Sequence, residues 1–89
     1  MYYNNRVGVH ISALKHGVTA VDVLHAANNY LVAVNIDDGN PHRELRLGFD
    51  TAGRLLETVV LAFEDGRQLI IHAMKARPSY LGLLPEGWL

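Results

Sequence analysis

The chain has no cysteine, so disulfide frameworks and thiolate metal sites are excluded. It has no apolar run approaching the length of a membrane span. Asn4, Asn5 and Arg6 follow the start without the hydrophobic core of a signal peptide. A cytoplasmic protein with no membrane partner is therefore expected. Charge of one sign is also missing: 8 Lys+Arg against 9 Asp+Glu leave a formal net charge of −1 with neutral histidines. That balance argues against a protein that coats nucleic acid through many phosphate contacts, although a local basic patch remains compatible with it. His10, His16, His25 and His42 show neither HxxxH nor HExxH spacing, so no metal site is expected. No glycine-rich phosphate loop is present, since Gly48 and Gly53 sit in turn contexts, and Ser12 and Ser79 read as helix caps rather than nucleophiles. No cofactor is expected.

What remains is an ordinary globular composition, 49% hydrophobic and 19% charged over 89 residues. This describes one domain over residues 1–89, too short for a second core. A domain of that size buries little surface, so docking on a partner or self-association contributes to its stability. Met1 to Val9 has strand character only at Val7 and Val9. Ser12 can cap a one- to two-turn helix that Gly17 ends. Thr19 with Asp22 three positions on is close to a capping box, and Val18 with Val23 supplies the hydrophobic staple, so a second helix runs to Asn28-Asn29.

From there the pattern changes to alternation. Tyr30 to Asp37 reads as a strand, Asp38-Gly39-Asn40-Pro41 as a turn, and Leu45, Leu47 and Phe49 as the apolar side of the next strand. Asp50 to Gly53 makes a hairpin loop, and Arg54 to Glu64, almost wholly apolar, fits a central strand. Asp65-Gly66 is a strong hairpin signal before a fourth strand over Arg67 to Met74. Pro78 opens a short helix through Tyr80 and Leu81 that Gly82 and Pro85 stop. The apolar Leu83 to Leu89 tail either folds back on the core or forms a docking strip. The expected fold is α+β: two short N-terminal helices packed on a four-stranded antiparallel sheet, with a short C-terminal helix.

The strands carry arginine, histidine and lysine, a plausible surface for binding or cutting a polyanion; the plainer reading is that these charges solvate an open sheet face. Cutting RNA without a metal needs a proton-transfer group and cations for the phosphorane charge. His72 is the acid–base candidate, because imidazole titrates near neutral pH. On a regular strand it shares a face with Ile70 and Met74 and faces away from Lys75, so the two converge only through a bulge or strand end near Ala73. The plainer reading of His72 is a partly buried histidine satisfied by a backbone carbonyl. Arg43, Arg46 and Arg54 are candidate phosphate clamps, with Arg43 and Arg54 expected close together beside the hairpin. Arg77 and Tyr80 follow the last strand, where a tyrosine stacks on a base or, more plainly, anchors a helix.

Lys15-His16-Gly17-Val18-Thr19, then Arg43…Gly48…Gly53-Arg54-Leu55-Leu56…Val59-Val60, then Ile71-His72-Ala73-Met74-Lys75-Ala76-Arg77 with Tyr80 resemble, in order and spacing, the BrnT toxins of bacterial type II toxin–antitoxin pairs. The resemblance covers residues 14–80. It implies a RelE-like fold and a small ribonuclease that cuts RNA without a metal cofactor, inhibits translation and growth, and is held inactive by a cognate antitoxin. It places Arg43, Arg54, Lys75 and Arg77 at the RNA site. The expected partners are thus an RNA substrate and an antitoxin, with a homodimer or a toxin–antitoxin hetero-oligomer as the assembly. The contrasting expectation is a non-catalytic protein-interaction module on the same fold, with inhibition of DNA gyrase a third option.

Overall fold

The computed structural model describes residues 6–87. Trp88 and Leu89 of the apolar tail, like residues 1–5, lie outside the described residues. The elements are β1 (Val7–Val9), a 3-10 turn (Ile11–Leu14), α1 (Ala20–Asn28), β2 (Tyr30–Asp37), β3 (His42–Phe49), β4 (Leu55–Ala62), β5 (Gln68–Lys75) and a second 3-10 segment (Pro78–Leu83). The sheet order is β1-β5-β4-β3-β2. β2 to β5 form an antiparallel meander, and β1 adds in parallel along β5 through Val7↔Gln68 and Val9↔Ile70.

This corrects the expected architecture, and with it the RelE-like arrangement. The sheet is mixed and has five strands, one helix packs on it, and the expected first helix is a four-residue 3-10 turn. The physical reasons are local. His10, not Ser12, caps the turn: its Nδ1 accepts the Ser12 amide, while the Ser12 hydroxyl donates to the Ile71 carbonyl at 2.6 Å. Gly17, at φ 82°, ends the segment too early for a full α-helix to propagate. The C-terminal segment is likewise a 3-10 helix, opened by Pro78.

α1 forms as its caps dictate. The Thr19 hydroxyl accepts the Asp22 amide, and Val18 and Val23 are both buried as the staple requires. The buried face of α1, Val23, Leu24, Ala26 and Ala27, meets Leu56, Val60, Ile70 and Ala73 from the sheet and Val9 from β1. The approach is closest at Gly48, where a Cβ would collide with the Ala26 carbonyl. The connection from β1 to β2 thus crosses one sheet face from edge to edge, carrying α1 with it. The other face is left to Leu45, Leu47, Glu57 and His72. Among the described residues, no helix is long and apolar enough to cross a membrane.

Candidate active site

The arrangement is built around Glu57, the single charged residue in β4. Alternation turns it away from α1, directly between Leu47 and Met74 on its neighbours, and its side chain is 0% exposed. Such a carboxylate needs partners. Arg77 donates Nε at 3.0 Å, Nη2 at 2.7 Å and its backbone N–H at 2.9 Å. His72 Nε2 lies 3.1 Å from Glu57 Oε2. Burial pushes the carboxyl pKa up; the Arg77 hydrogen bonds, the His72 contact and the Arg77 charge together outweigh it and hold Glu57 below the usual glutamate value. The hydrogen bond to Glu57, and then its charge, raise Arg77 in turn.

His72 faces Glu57 because β5 carries a bulge. Ile70 pairs with Val60 and His72 with Val59, so Ile71 is the extra residue. Ile70 therefore enters the core under α1 while His72 takes the opposite face, where regular alternation would have kept the two together. The bulge lies before His72 rather than near Ala73. Lys75, opposite Leu56, accordingly stays on the α1 side, and strand geometry does not converge it on His72. The His72 side chain is satisfied by a carboxylate instead of a backbone carbonyl. A second imidazole stands beside it: the His16 ring meets His72 edge-on at 5.5 Å between centroids. His16 reaches this place because the 3-10 turn before it is tied to the bulge through Ser12 to Ile71 and His10 N–H to the Ile70 carbonyl.

The cations gather at the adjoining strand ends. Buried Asp50 accepts the Ala52 and Arg54 amides at 2.9 and 2.8 Å and Arg54 Nε at 2.7 Å, which shapes the β3–β4 loop. Burial raises the Asp50 pKa, but the Arg54 amide and side chain and the Ala52 amide hold it below the usual aspartate value. The Thr51 amide donates to Asp22 at 3.0 Å, strapping the loop to the first turn of α1. Arg54 leaves this loop half exposed and, with Lys75 and Arg77, lines one pocket of about 580 Å³. Lys75 has no ion-pair partner among the described residues, and the Arg77 guanidinium lies 5.2 Å over the Tyr80 ring.

Arg43 and Arg46 stand apart from this group. Arg43 pairs with Leu61, seven positions along β4 from Arg54, which separates the two by about 23 Å rather than bringing them together. Arg43 instead pairs with Asp37 at 3.1 Å. Arg46 is 4% exposed on the α1 side, where its guanidinium binds Glu44, the Ala27 carbonyl and Gln68 and lies over Tyr30. It docks the C-terminal turn of α1, whose carbonyls favour a cation. Its expected phosphate contact is therefore replaced by a structural one.

Two members of the site, Glu57 and His16, are not among the residues the sequence singles out for it. A lone carboxylate inside an apolar strand is the signal that points to Glu57; the position of His16 depends on contacts with β5 that no local pattern announces. Among the described residues, no group of three His, Asp or Glu side chains converges as metal ligands would. Comparison of the chain with known protein families, with characterised proteins and with solved structures finds no match.

Proposed function

We propose that this chain is a cytoplasmic endoribonuclease toxin of a type II toxin–antitoxin pair, as its resemblance to BrnT toxins implies. The observation that carries the reading is the His72 imidazole anchored by buried Glu57 beside a pocket lined by Arg54, Lys75 and Arg77. A carboxylate that orients an imidazole is a recurring acid–base device. With Nε2 held by Glu57, Nδ1 is the nitrogen left to exchange protons with substrate. His72 takes the proton of the ribose 2′-hydroxyl, whose oxygen attacks phosphorus. The bond from phosphorus to the 5′-oxygen breaks, and that oxygen leaves with a proton supplied by imidazolium, from His72 or the adjacent His16. The Arg77 guanidinium, held on Glu57 next to His72, offsets the charge that builds on the phosphate oxygens, while Arg54 and Lys75, round the strand ends, hold an adjoining phosphate. The products are a 2′,3′-cyclic phosphate and a 5′-hydroxyl. A cognate antitoxin has an available strand in β2, which forms one edge of the sheet and exposes Tyr30, Val34 and Ile36.

One observation favours a non-catalytic protein-interaction module instead. Arg43, Arg46, Arg54, Arg67 and Arg77 each have a carboxylate within 4 Å, which damps the field a polyanion would meet. Induced expression in bacteria separates the two readings. The wild type is expected to arrest growth and leave RNA fragments ending in 2′,3′-cyclic phosphate, while His72→Ala with Lys75→Ala, folded by circular dichroism, restores growth. Normal growth with intact RNA and soluble wild-type protein overturns the nuclease reading.

A further inference from the structure

The pocket at the β4–β5 strand ends has a divided chemistry that phosphate clamping alone does not use. Leu55, Met74, Pro78 and Leu81 give it an apolar lining, and Arg54, Lys75 and Arg77 are the cations against that lining. Its volume of about 580 Å³ lies within the range of small-molecule sites, far more than a phosphate group needs. The cations are not equivalent. Arg54 gives Nε to Asp50, and Arg77 gives Nε and Nη2 to Glu57, whereas Lys75 is exposed and has no ion-pair partner among the described residues.

An occupant of matching chemistry presents an apolar surface to this lining and carries an anion at one end. We propose that this pocket holds one unstacked nucleotide of a single-stranded RNA, its base against Leu55, Met74, Pro78 and Leu81 and its phosphate on Lys75. The assignment rests on the nuclease reading and adds a base subsite to it. Splayed bases are commonly bound by stacking on guanidinium planes and apolar side chains, and Arg77, packed over Tyr80, offers such a plane at the wall of the pocket. The base lies beside the Glu57–His72 pair because Arg77 belongs to both groups. Substrate choice would therefore be made by the pocket, and proton transfer by the imidazole next to it.

The test is a titration of the full chain, followed by amide and methyl chemical shifts, with the four ribonucleoside monophosphates, with uridine and with inorganic phosphate. At least one monophosphate is expected to shift Leu55, Met74 and Leu81 and to bind about tenfold or more tighter than either uridine or phosphate. Lys75→Ala should weaken the monophosphate by about tenfold and leave uridine unchanged, as loss of one charge-assisted contact requires. Leu81→Ser should weaken the monophosphate and spare phosphate. Equal affinity for phosphate and monophosphate, shifts confined to other surfaces, or no binding by any monophosphate overturns the proposal. The two readings fail separately: monophosphates bound in this pocket by a chain that leaves RNA intact remove the nuclease and keep the subsite. RNA cut by a chain whose pocket shows no shift does the reverse.

Discussion

Glu57 accepts hydrogen bonds from two side chains that belong to different parts of the chain, His72 within β5 and Arg77 after it, and so fixes the turn out of the sheet as well as the imidazole. Its isostere tests both. Glu57→Gln retains the shape but loses the charge and part of the acceptor capacity. It is expected to lower unfolding free energy by about 1–3 kcal/mol, measured by urea denaturation, with Arg77 limiting the loss because it can turn to solvent. Arg46 illustrates the opposite relation between charge and role. Read on its strand it is one cation among several; in the structure it is the most committed of them, tied to Glu44, Gln68 and the last turn of α1.

At the scale of elements, the four strands of the meander stand where alternation and turn chemistry put them, with β4 in the middle of the sheet. These were legible because each strand pairs with its sequence neighbour across a short turn. β1 was legible only as strand character at Val7 and Val9, and its place in the sheet was not: three residues join it only through β5, some 60 positions away, and a parallel pairing leaves no turn signal. The first 3-10 turn is similar, since Ser12 forgoes the cap in favour of the Ile71 carbonyl. Packing of α1 depends on a missing side chain at Gly48. Gly48→Ala drives a methyl group into the Ala26 carbonyl, so the helix or β3 must shift. The expected cost is about 1–3 kcal/mol, read as a lower urea midpoint with an unchanged slope.

For the molecule as a whole, the carboxylates set the response to acid. Glu57, Glu44 and Asp50 all have pKa values lowered in the folded chain: burial raises each, and hydrogen bonds from neighbouring side chains and backbone amides, with the adjacent arginine charges, outweigh it. A group whose folded value is depressed contributes stability that is present above its unfolded value and lost as pH falls through the folded one. The melting temperature is therefore expected to hold near neutral pH and to fall from about pH 5 downward, steepest below about pH 4. A melting temperature that rises on acidification would mean these pairs do not hold the native state. The same pairings damp the positive field on and beside the strands: Arg43 and Arg46 in β3, and Arg54 and Arg77 next to β4 and β5, each lie within 4 Å of a carboxylate.

The sequence alone determined the strand periods, the turns between them, the capped start of α1 and the recurrence of cations along the second half of the chain, because each depends on residues a few positions apart. The tertiary structure decided which of those cations face a common pocket. A bulge of one residue in β5 turned His72 toward Glu57, the register of β3 on β4 carried Arg43 away from Arg54, and the close seat of α1 over Gly48 drew Arg46 inward. Register and bulges are set by pairing between distant segments, and a slip of one position exchanges the two faces of a strand; residue spacing along a single strand does not record it.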